Sequence, residues 1–175
     1  MRTGTPDDAA AICRIYNEGI TDRIATFETR LRTIDEVRGW FTSTHPIVVV
    51  EDDRGAVVAF ASTSAYRPRD CYRGVAEFSV YTARDARRQG AGRAAILGLL
   101  DAARAAGFWK LVSRVFVENV ASRRLLEAAG FREVGIYYRH AQLDGLWRDV
   151  VIVEKLLSTS FPSCLSCPPP PDSRC

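Results

Sequence analysis

The sequence has no long apolar run, and no charged start leading through an apolar stretch to a small-residue cleavage site. A membrane-spanning helix needs about 18 consecutive apolar residues, so we expect no membrane association and a cytoplasmic location. The sequence also lacks an excess of one charge, because 24 basic and 21 acidic residues are spread along 175 positions. This distribution disfavours nucleic acid as a partner.

Cysteines are few, and their spacing fits neither a disulfide framework nor a metal site. Of the five, Cys13 and Cys71 lie far apart, while Cys164, Cys167 and Cys175 cluster near the carboxyl terminus. The Cys164-x-x-Cys167 pair has no second pair and no suitably spaced histidine, which a zinc site would need. We therefore expect no structural disulfides and no metal.

The length and composition allow one substantial core. With 47% hydrophobic residues, the chain can bury the core of one domain but is short for two. From Ser158 onward the sequence turns to serine, cysteine and four consecutive prolines, which can neither extend a sheet nor bury enough surface to fold. We expect a domain at residues 1–157 and a disordered tail at 158–175.

Hydrophobic periodicity and turn residues predict an α+β fold. Thr5-Pro6-Asp7-Asp8 is typical of a helix start, with the helix running to about Glu18, and Thr33 with Glu36 forms a capping-box pattern for a second helix. Strands are predicted at about 47–50, 57–64, 75–82, 111–117, 132–143 and 147–157, with helices at 94–106 and 121–129. This order favours a mixed sheet flanked by helices.

The most informative segment is a strand, a basic glycine-rich turn and a helix start. Val80-Tyr81-Thr82 is followed by Arg87-Arg88-Gln89-Gly90-Ala91-Gly92-Arg93. Glycines let a ligand approach the backbone, where N–H groups at the positive end of the helix can bind phosphate oxygens. The same residues also fit a tight turn with solvated arginines. Position 95 is alanine where the dinucleotide fingerprint has its third glycine, and the Walker pattern is absent.

These residues resemble the acetyl-CoA motif of the GNAT superfamily of N-acetyltransferases. Asn119-x-x-Ser122 and Leu126-Glu127-Ala128-Ala129-Gly130-Phe131 are similar to its next coenzyme motif. Other segments resemble the phosphinothricin branch, which includes arsinothricin and methionine-derivative acetyltransferases: Ile15-Tyr16-Asn17, Ala25 to Thr29, Tyr66 to Tyr72, Glu77 and Trp147-x-Asp149. The resemblance covers about residues 1–157.

The resemblance implies a GNAT fold with an α/β/α mixed sheet, acetyl-CoA as co-substrate and a homodimer. Backbone groups of Val80, Tyr81 and Thr82 would hold the pantetheine arm like an added strand. Residues Arg88 to Arg93 would enclose the pyrophosphate, and Asn119 would contact the arm near its thiol; Arg87 and Ser122 complete the predicted coenzyme contacts. The acceptor would be the amine of a small amino-acid-like acid, which would connect the activity to resistance against such compounds.

Acetylation of an ammonium group first requires removal of a proton, and Glu77 is the candidate base. It lies in an otherwise apolar strand, where partial burial would raise its pKa, and it matches the family's base. The alternative is an edge-strand glutamate in solvent or paired with Arg69 or Arg73. A backbone N–H near Val80 and Tyr81 would stabilise the oxyanion.

The proton donor for the leaving thiolate stays open. Many relatives have a tyrosine or histidine at the position that is Leu126 here, and leucine cannot donate a proton. Water, Tyr81, Tyr137 or Tyr138 could take this role.

Acceptor binding is predicted for two segments. Arg67, Arg69 and Tyr72 suit a carboxylate or another oxyanion, although a solvated basic loop is the alternative. Phe27 and Glu28 match the family's loop that covers the substrate. A non-catalytic acetyl-CoA sensor and an acetyltransferase of protein amines are the competing functions.

Overall fold

The computed structural model describes residues 1–157, and the predicted tail with its Cys164-x-x-Cys167 pair lies outside them. The strands are β1 (Arg2–Thr3), β2 (Ile47–Glu51), β3 (Val57–Ala65), β4 (Val75–Thr82), β5 (Lys110–Phe116), β6 (Arg132–Leu143) and β7 (Leu146–Leu156). The helices are α1 (Ala9–Asp22), α2 (Ile34–Arg38), α3 (Ala91–Ala105) and α4 (Val120–Ala128). The predicted α+β class is confirmed.

The helix starts differ in detail from the prediction. Thr5 precedes a short 3-10 turn at Pro6–Asp8, and α1 continues four residues beyond the predicted end, to Asp22. The capping box of α2 is confirmed, since the Thr33 Oγ1 accepts from the Glu36 N–H at 3.3 Å and Glu36 Oε2 accepts from the Thr33 N–H at 2.7 Å. The strand β1 was not predicted, because two residues are too few to show an alternating pattern.

The seven strands form one sheet in the order β1-β2-β3-β4-β5-β7-β6. All neighbours are antiparallel except β4 and β5, which are parallel and pair only from Val75↔Lys110 to Glu77↔Val112. The strand predicted to hold the coenzyme is therefore fourth of seven. Beyond its third residue it has no partner on the β5 side, so a gap opens inside the sheet.

Helices cover both faces of the sheet around that gap. Ala76 and Phe78 of β4 pack in the core under α3 and α4, whereas Tyr81 packs in the core under α1. Successive side chains of a strand point to opposite faces. Glu77 and Tyr81 therefore share the face of β4 that α1 covers, which we call the α1 face.

The closing hairpin carries an irregularity near the far edge of the sheet. The register of β6 against β7 shifts between Tyr137 and Ala141, and Arg139 adopts a φ of 48° there. The carboxylate of Asp149 accepts from the Arg139 N–H at 2.7 Å, which ties the irregular part of β6 to β7. Trp147 does not pack inside the chain, since 56% of it is exposed.

Candidate active site

A groove of about 800 Å³ runs between the end of β4, the start of α3, the end of α1 and the start of α4. Ten of the twelve predicted coenzyme residues line it: Val80, Tyr81, Thr82, Arg87, Arg88, Gly90, Gly92, Arg93, Asn119 and Ser122. Gln89 and Ala91 do not. The Gln89 amide donates to the Asp85 carbonyl at 2.8 Å, and Ala91 packs against the core.

The first turn of α3 offers backbone donors to this groove. Gly90 caps the helix with a φ of 88°, a left-handed conformation that disfavours other residues. No side chain among residues 1–157 caps this end, and the first N–H groups of a helix have no partner inside it. A Cβ at position 92 would lie 3.0 Å from Thr82 Oγ1 and 3.4 Å from Leu125 Cδ2, so glycine keeps the groove open. The geometry suits a diphosphate.

The arginines of the loop fall into two groups. Arg87 is tied to the end of α1, because its Nη2 donates to Asp22 Oδ2 at 2.6 Å, and Arg84 donates to Oδ1 of the same carboxylate at 2.6 Å. The hydrogen bond from Arg84, followed by that from Arg87, lowers the pKa of Asp22. Arg88 and Arg93 line the groove and form no ion pair with residues 1–157, which leaves their charges available for an anion.

The gap between β4 and β5 continues this groove into the sheet. It is lined on one side by Ser79, Val80 and Tyr81 and on the other by Ser113 and Arg114. In a strand with a partner on one side only, alternate residues direct their N–H and C=O groups to the open side. An extended chain could therefore add to β4 here, as the sequence predicted for the pantetheine arm.

Both polar groups of the Asn119 side-chain amide form hydrogen bonds inside the protein. Its Oδ1 accepts from the Ser122 N–H at 3.1 Å, which caps α4, and its Nδ2 donates to the Ile24 carbonyl at 2.9 Å. The residue thus fixes the segment after α1 against α4, and Ile24 and Ala25 of that segment form one wall of the groove. A contact from Asn119 to the coenzyme stays a prediction.

Glu77 pairs with a residue that the sequence did not suggest. Arg114 Nε donates to Glu77 Oε1 at 3.0 Å, and Arg114 Nη2 donates to the same oxygen. The alternative of an edge-strand residue paired with Arg69 or Arg73 is wrong, because β4 is internal to the sheet and Arg114 reaches the carboxylate from β5. Glu77 retains 26% of its side-chain exposure and stays open to solvent.

The predicted phenol donors occupy very different environments. Tyr81 is buried against Tyr16, at a ring distance of 4.8 Å, and against Phe60 at 5.4 Å. This burial raises the pKa of Tyr81 well above its usual value, so the phenol keeps its proton at neutral pH. Tyr137 and Tyr138 are 55% and 75% exposed on β6. Leu126 is buried in the core under α3.

Glu28 is held by its own neighbours. Its carboxylate accepts from the Tyr16 hydroxyl at 3.0 Å and from Arg32 Nε at 2.7 Å. The Arg32 hydrogen bond lowers the pKa of Glu28, whereas burial raises the pKa of Tyr16 to about 12. Phe27 packs edge-on against Phe116 at 4.8 Å. The loop after α1 therefore covers the α1 face beside the gap.

The predicted basic loop joins β3 to β4 at the end of β4 nearest Glu77. The Arg67 guanidinium lies 5.3 Å from the centre of the Tyr66 ring, which packs edge-on against Tyr72 at 5.4 Å. The Tyr72 N–H donates to the Arg69 carbonyl at 2.9 Å, which curls the loop. Three of the five predicted acceptor residues, Arg67, Arg69 and Tyr72, are therefore together on one connection.

Sequence reasoning missed Asp22, Arg114 and Leu125. A charged residue inside the apolar run of β5 was a usable signal for Arg114, of the same kind that indicated Glu77. Nothing in the sequence marked Asp22 or Leu125. Within residues 1–157 there is no cluster of metal-ligating side chains, and no described helix is long and apolar enough to cross a membrane.

Comparisons with known proteins agree with this geometry. A model of the acetyltransferase (GNAT) family matches residues 11–131. The chain is 32% identical over 163 residues to a phosphinothricin N-acetyltransferase of Alcaligenes faecalis, covering 90% of this chain and 82% of that one. It is 30% identical over 151 residues to an L-methionine sulfoximine/L-methionine sulfone acetyltransferase of Pseudomonas aeruginosa, covering 84% and 88%.

The fold agrees as well. It superposes with a TM-score of 0.83 and 30% identity on a GNAT superfamily phosphinothricin acetyltransferase from Sinorhizobium meliloti in complex with acetyl-CoA, covering 89% of this chain and 86% of that chain. Residues 11–131, which the family model matches, include the lining of the groove and of the gap as well as Glu77.

Proposed function

The chain belongs to the acetyltransferase (GNAT) family, and on this premise we propose that it transfers an acetyl group to the α-amino group of a small amino-acid-like acid. It is an acetyl-CoA-dependent N-acetyltransferase. The observation that carries the proposal is that the groove at α3 adjoins the gap in the sheet, and that Arg114, which lines this gap, pairs with Glu77.

The groove binds the coenzyme by its diphosphate. The N–H groups at the start of α3 donate to phosphate oxygens, and Arg88 and Arg93 supply charge-assisted hydrogen bonds. The pantetheine arm lies in the gap along Val80, Tyr81 and Thr82, which directs the thioester toward the α1 face. Glycine at position 92 suits this approach because a Cβ there would lie close to the side chains of Thr82 and Leu125.

The transfer itself uses few groups of the protein. Glu77, directly or through a water, takes one proton from the ammonium, and the freed nitrogen pair attacks the thioester carbon. A backbone N–H of β4 near Val80 donates to the resulting oxyanion. When the C–S bond breaks, the sulfur keeps the electron pair and is protonated by water or by the buried Tyr81 phenol, and that donor regains a proton from the second one that the acetylated nitrogen releases.

We infer an acidic acceptor from the basic residues of the connection that precedes Glu77 in the chain and from Arg114, which pairs with Glu77. Arg67 and Arg69 lie on the connection that leads into β4, and Tyr72 adds a hydroxyl. Guanidinium groups suit a carboxylate, phosphinate or similar oxyanion. The relatives that act on phosphinothricin and methionine sulfoximine are consistent with this class, and acetylation of such a compound would confer resistance to it.

We further propose a cytoplasmic homodimer with one domain at residues 1–157. Apolar side chains stand exposed on the β6–β7 hairpin, including Ile136, Tyr138 and Trp147. A second copy of the chain covering them would bring its own strands close to the site.

The test is a thiol-release assay with acetyl-CoA, run across phosphinothricin, arsinothricin, methionine sulfoximine and ordinary amino acids beside a protein amine. Calorimetry with acetyl-CoA is measured in parallel. We expect binding of the coenzyme and turnover with at least one small acid. Binding of acetyl-CoA without turnover of any amine would indicate a non-catalytic acetyl-CoA sensor. Turnover of the protein amine alone would indicate an acetyltransferase of protein amines. Absence of acetyl-CoA binding would overturn the proposed enzymatic function.

A further inference from the structure

Glu77 and Arg114 form a pair of opposite charges at the mouth of the gap. In the parallel register Glu77 stands opposite Val112, and Arg114 follows two residues later on β5. Leu111 and Val115 of β5 point into the core under α3, so Arg114 points to the α1 face, as Glu77 does. Arg114 also lines the gap itself. The pair therefore lies where the thioester and the acceptor must meet.

The pair leaves hydrogen-bonding capacity unused. Both bonds from the guanidinium end on Oε1 of the carboxylate, and no hydrogen bond to Oε2 or from Nη1 occurs within residues 1–157. A guanidinium has two edges that can bind a carboxylate bidentately. The edge between Nη1 and Nη2 thus stays open on Arg114, whose side chain is 46% exposed, and so does one oxygen of Glu77.

An α-amino acid has the matching pattern of charges, with an ammonium and a carboxylate on adjacent carbons. We propose that Arg114 binds the α-carboxylate of the acceptor while Glu77 binds its ammonium, so that the two residues together recognise the amino-acid zwitterion. This inference rests on the proposed function and deepens it. It assigns the α-carboxylate to Arg114 and leaves the Arg67–Tyr72 loop for the acid group of the substrate side chain.

A merely structural role would explain less. The two side chains could simply join β4 to β5, where only three residue pairs connect the strands. Exposed ion pairs stabilise proteins little, however, and such a role does not require open donors facing the gap. The two roles also predict different kinetics. If Arg114 binds the α-carboxylate, its loss should affect acceptors that have this group, whereas a residue that only joins β4 to β5 should affect all acceptors alike.

The experiment compares the amino acid that the wild-type protein acetylates fastest with its primary carboxamide. We measure kcat and KM for both acceptors by thiol release in the wild-type protein, Arg114→Gln, Arg114→Lys and the control Arg38→Ala. Arg38 pairs with the exposed Asp35 on α2. Because intrinsic amine reactivity is the same for all variants, the acid-to-amide ratio of kcat/KM isolates the contact to the carboxylate.

We expect Arg114→Gln to raise KM for the acid about tenfold to a hundredfold, the range of a lost charge-assisted hydrogen bond, with KM for the amide nearly unchanged. The acid-to-amide ratio then falls by the same factor. Arg114→Lys keeps the charge and should retain part of the ratio, and Arg38→Ala should behave as the wild type.

An unchanged acid-to-amide ratio in Arg114→Gln would overturn the inference. An equal loss of kcat for the acid and the amide would also overturn the inference, because it would indicate that Arg114 only positions Glu77. Complete loss of kcat with wild-type affinity for acetyl-CoA by calorimetry counts as such a result. If Arg114→Gln binds no acetyl-CoA, the acid-to-amide ratio of kcat/KM is measured in Arg114→Lys instead, and an unchanged ratio there overturns the inference. Failure of the wild-type protein to acetylate any acid is a different result, because it rejects the proposed function itself.

Discussion

The proposed coenzyme groove and the proposed acceptor end of the site differ in the groups that they offer to a ligand, which are backbone groups at the groove and side chains at the acceptor end. At the groove, we expect most coenzyme contacts from the backbone at the start of α3, where Gly90 and Gly92 have no side chain. At the acceptor end, we expect side chains to carry the chemistry, and Glu77, Arg114 and the Arg67–Tyr72 loop are exposed or half-buried there. The gap between β4 and β5 joins the two ends.

This difference separates two kinds of specificity. Backbone groups bind a diphosphate whatever the neighbouring side chains are, so a groove of this type can serve one coenzyme across a family. Side chains on a sheet face can be exchanged without altering the fold, so the acceptor can change by single substitutions. Substitutions at the two ends should therefore affect different kinetic constants.

The largest effect on turnover is expected for Glu77→Gln, which removes the proposed base at the acceptor end. The amide cannot take the ammonium proton, so kcat should fall about 100-fold or more near neutral pH, whereas the affinity for acetyl-CoA by calorimetry should stay within about twofold. Glu51→Gln is the matched control, since Glu51 is also a strand glutamate paired with an arginine, Arg2. Unchanged turnover in Glu77→Gln would remove this residue from the mechanism.

Gly92→Val should instead weaken the binding of acetyl-CoA at the groove. The valine side chain would crowd Thr82 and Leu125 at the groove, so we expect acetyl-CoA affinity to fall about tenfold or more with the acceptor KM little changed. Gly39→Val is the control, because a Cβ there has no neighbour within 4 Å. Wild-type affinity in Gly92→Val would show that the coenzyme does not use this groove.

Arg69→Ala sharpens the comparison within the acceptor end. Loss of an exposed guanidinium that binds the side-chain acid should raise the acceptor KM about fivefold, with kcat and acetyl-CoA affinity retained. The neighbouring Arg73→Ala, on the same connection, serves as control. If KM is unchanged for every acidic acceptor while Arg114→Gln raises it, the loop is only a solvated connection.

The smallest effect concerns the tether of the coenzyme loop. Asp22→Asn removes a carboxylate that holds Arg84 and Arg87, and at pH 7 we expect the free energy of unfolding in urea to fall by about 1 kcal/mol. The hydrogen bonds lower the pKa of Asp22 below its ordinary 3.8. The stabilisation is therefore complete above about pH 4 and is lost as the pH falls through the lowered pKa.

The difference in stability between Asp22→Asn and the wild type should accordingly shrink below about pH 4. Asp101→Asn, at a carboxylate that is 79% exposed and paired with Arg104, should change little at any pH. A difference for Asp22→Asn that persists at low pH would mean that the carboxylate charge is not its cause.

Prediction from sequence succeeded where the signal is local. Turn residues and caps placed the boundaries of β4 at residues 75 and 82 and the capping box at Thr33. The glycine-rich turn carried the coenzyme motif because backbone conformation and ligand approach depend on residues that are adjacent in the chain. The two-residue β1 and the extension of α1 to Asp22 have weak local signals and were missed.

The sequence by itself determined the fold class, the order of all helices and strands after β1, and the family, since each depends on neighbouring residues or on a short motif. Only the tertiary structure decided that Arg114 pairs with Glu77 across 37 positions and that Asp22 holds Arg87 across 65. The physical reason is that the first contact follows from the parallel register of β4 with β5 and the second from the packing of α1 beside the loop after β4, and no local propensity encodes either.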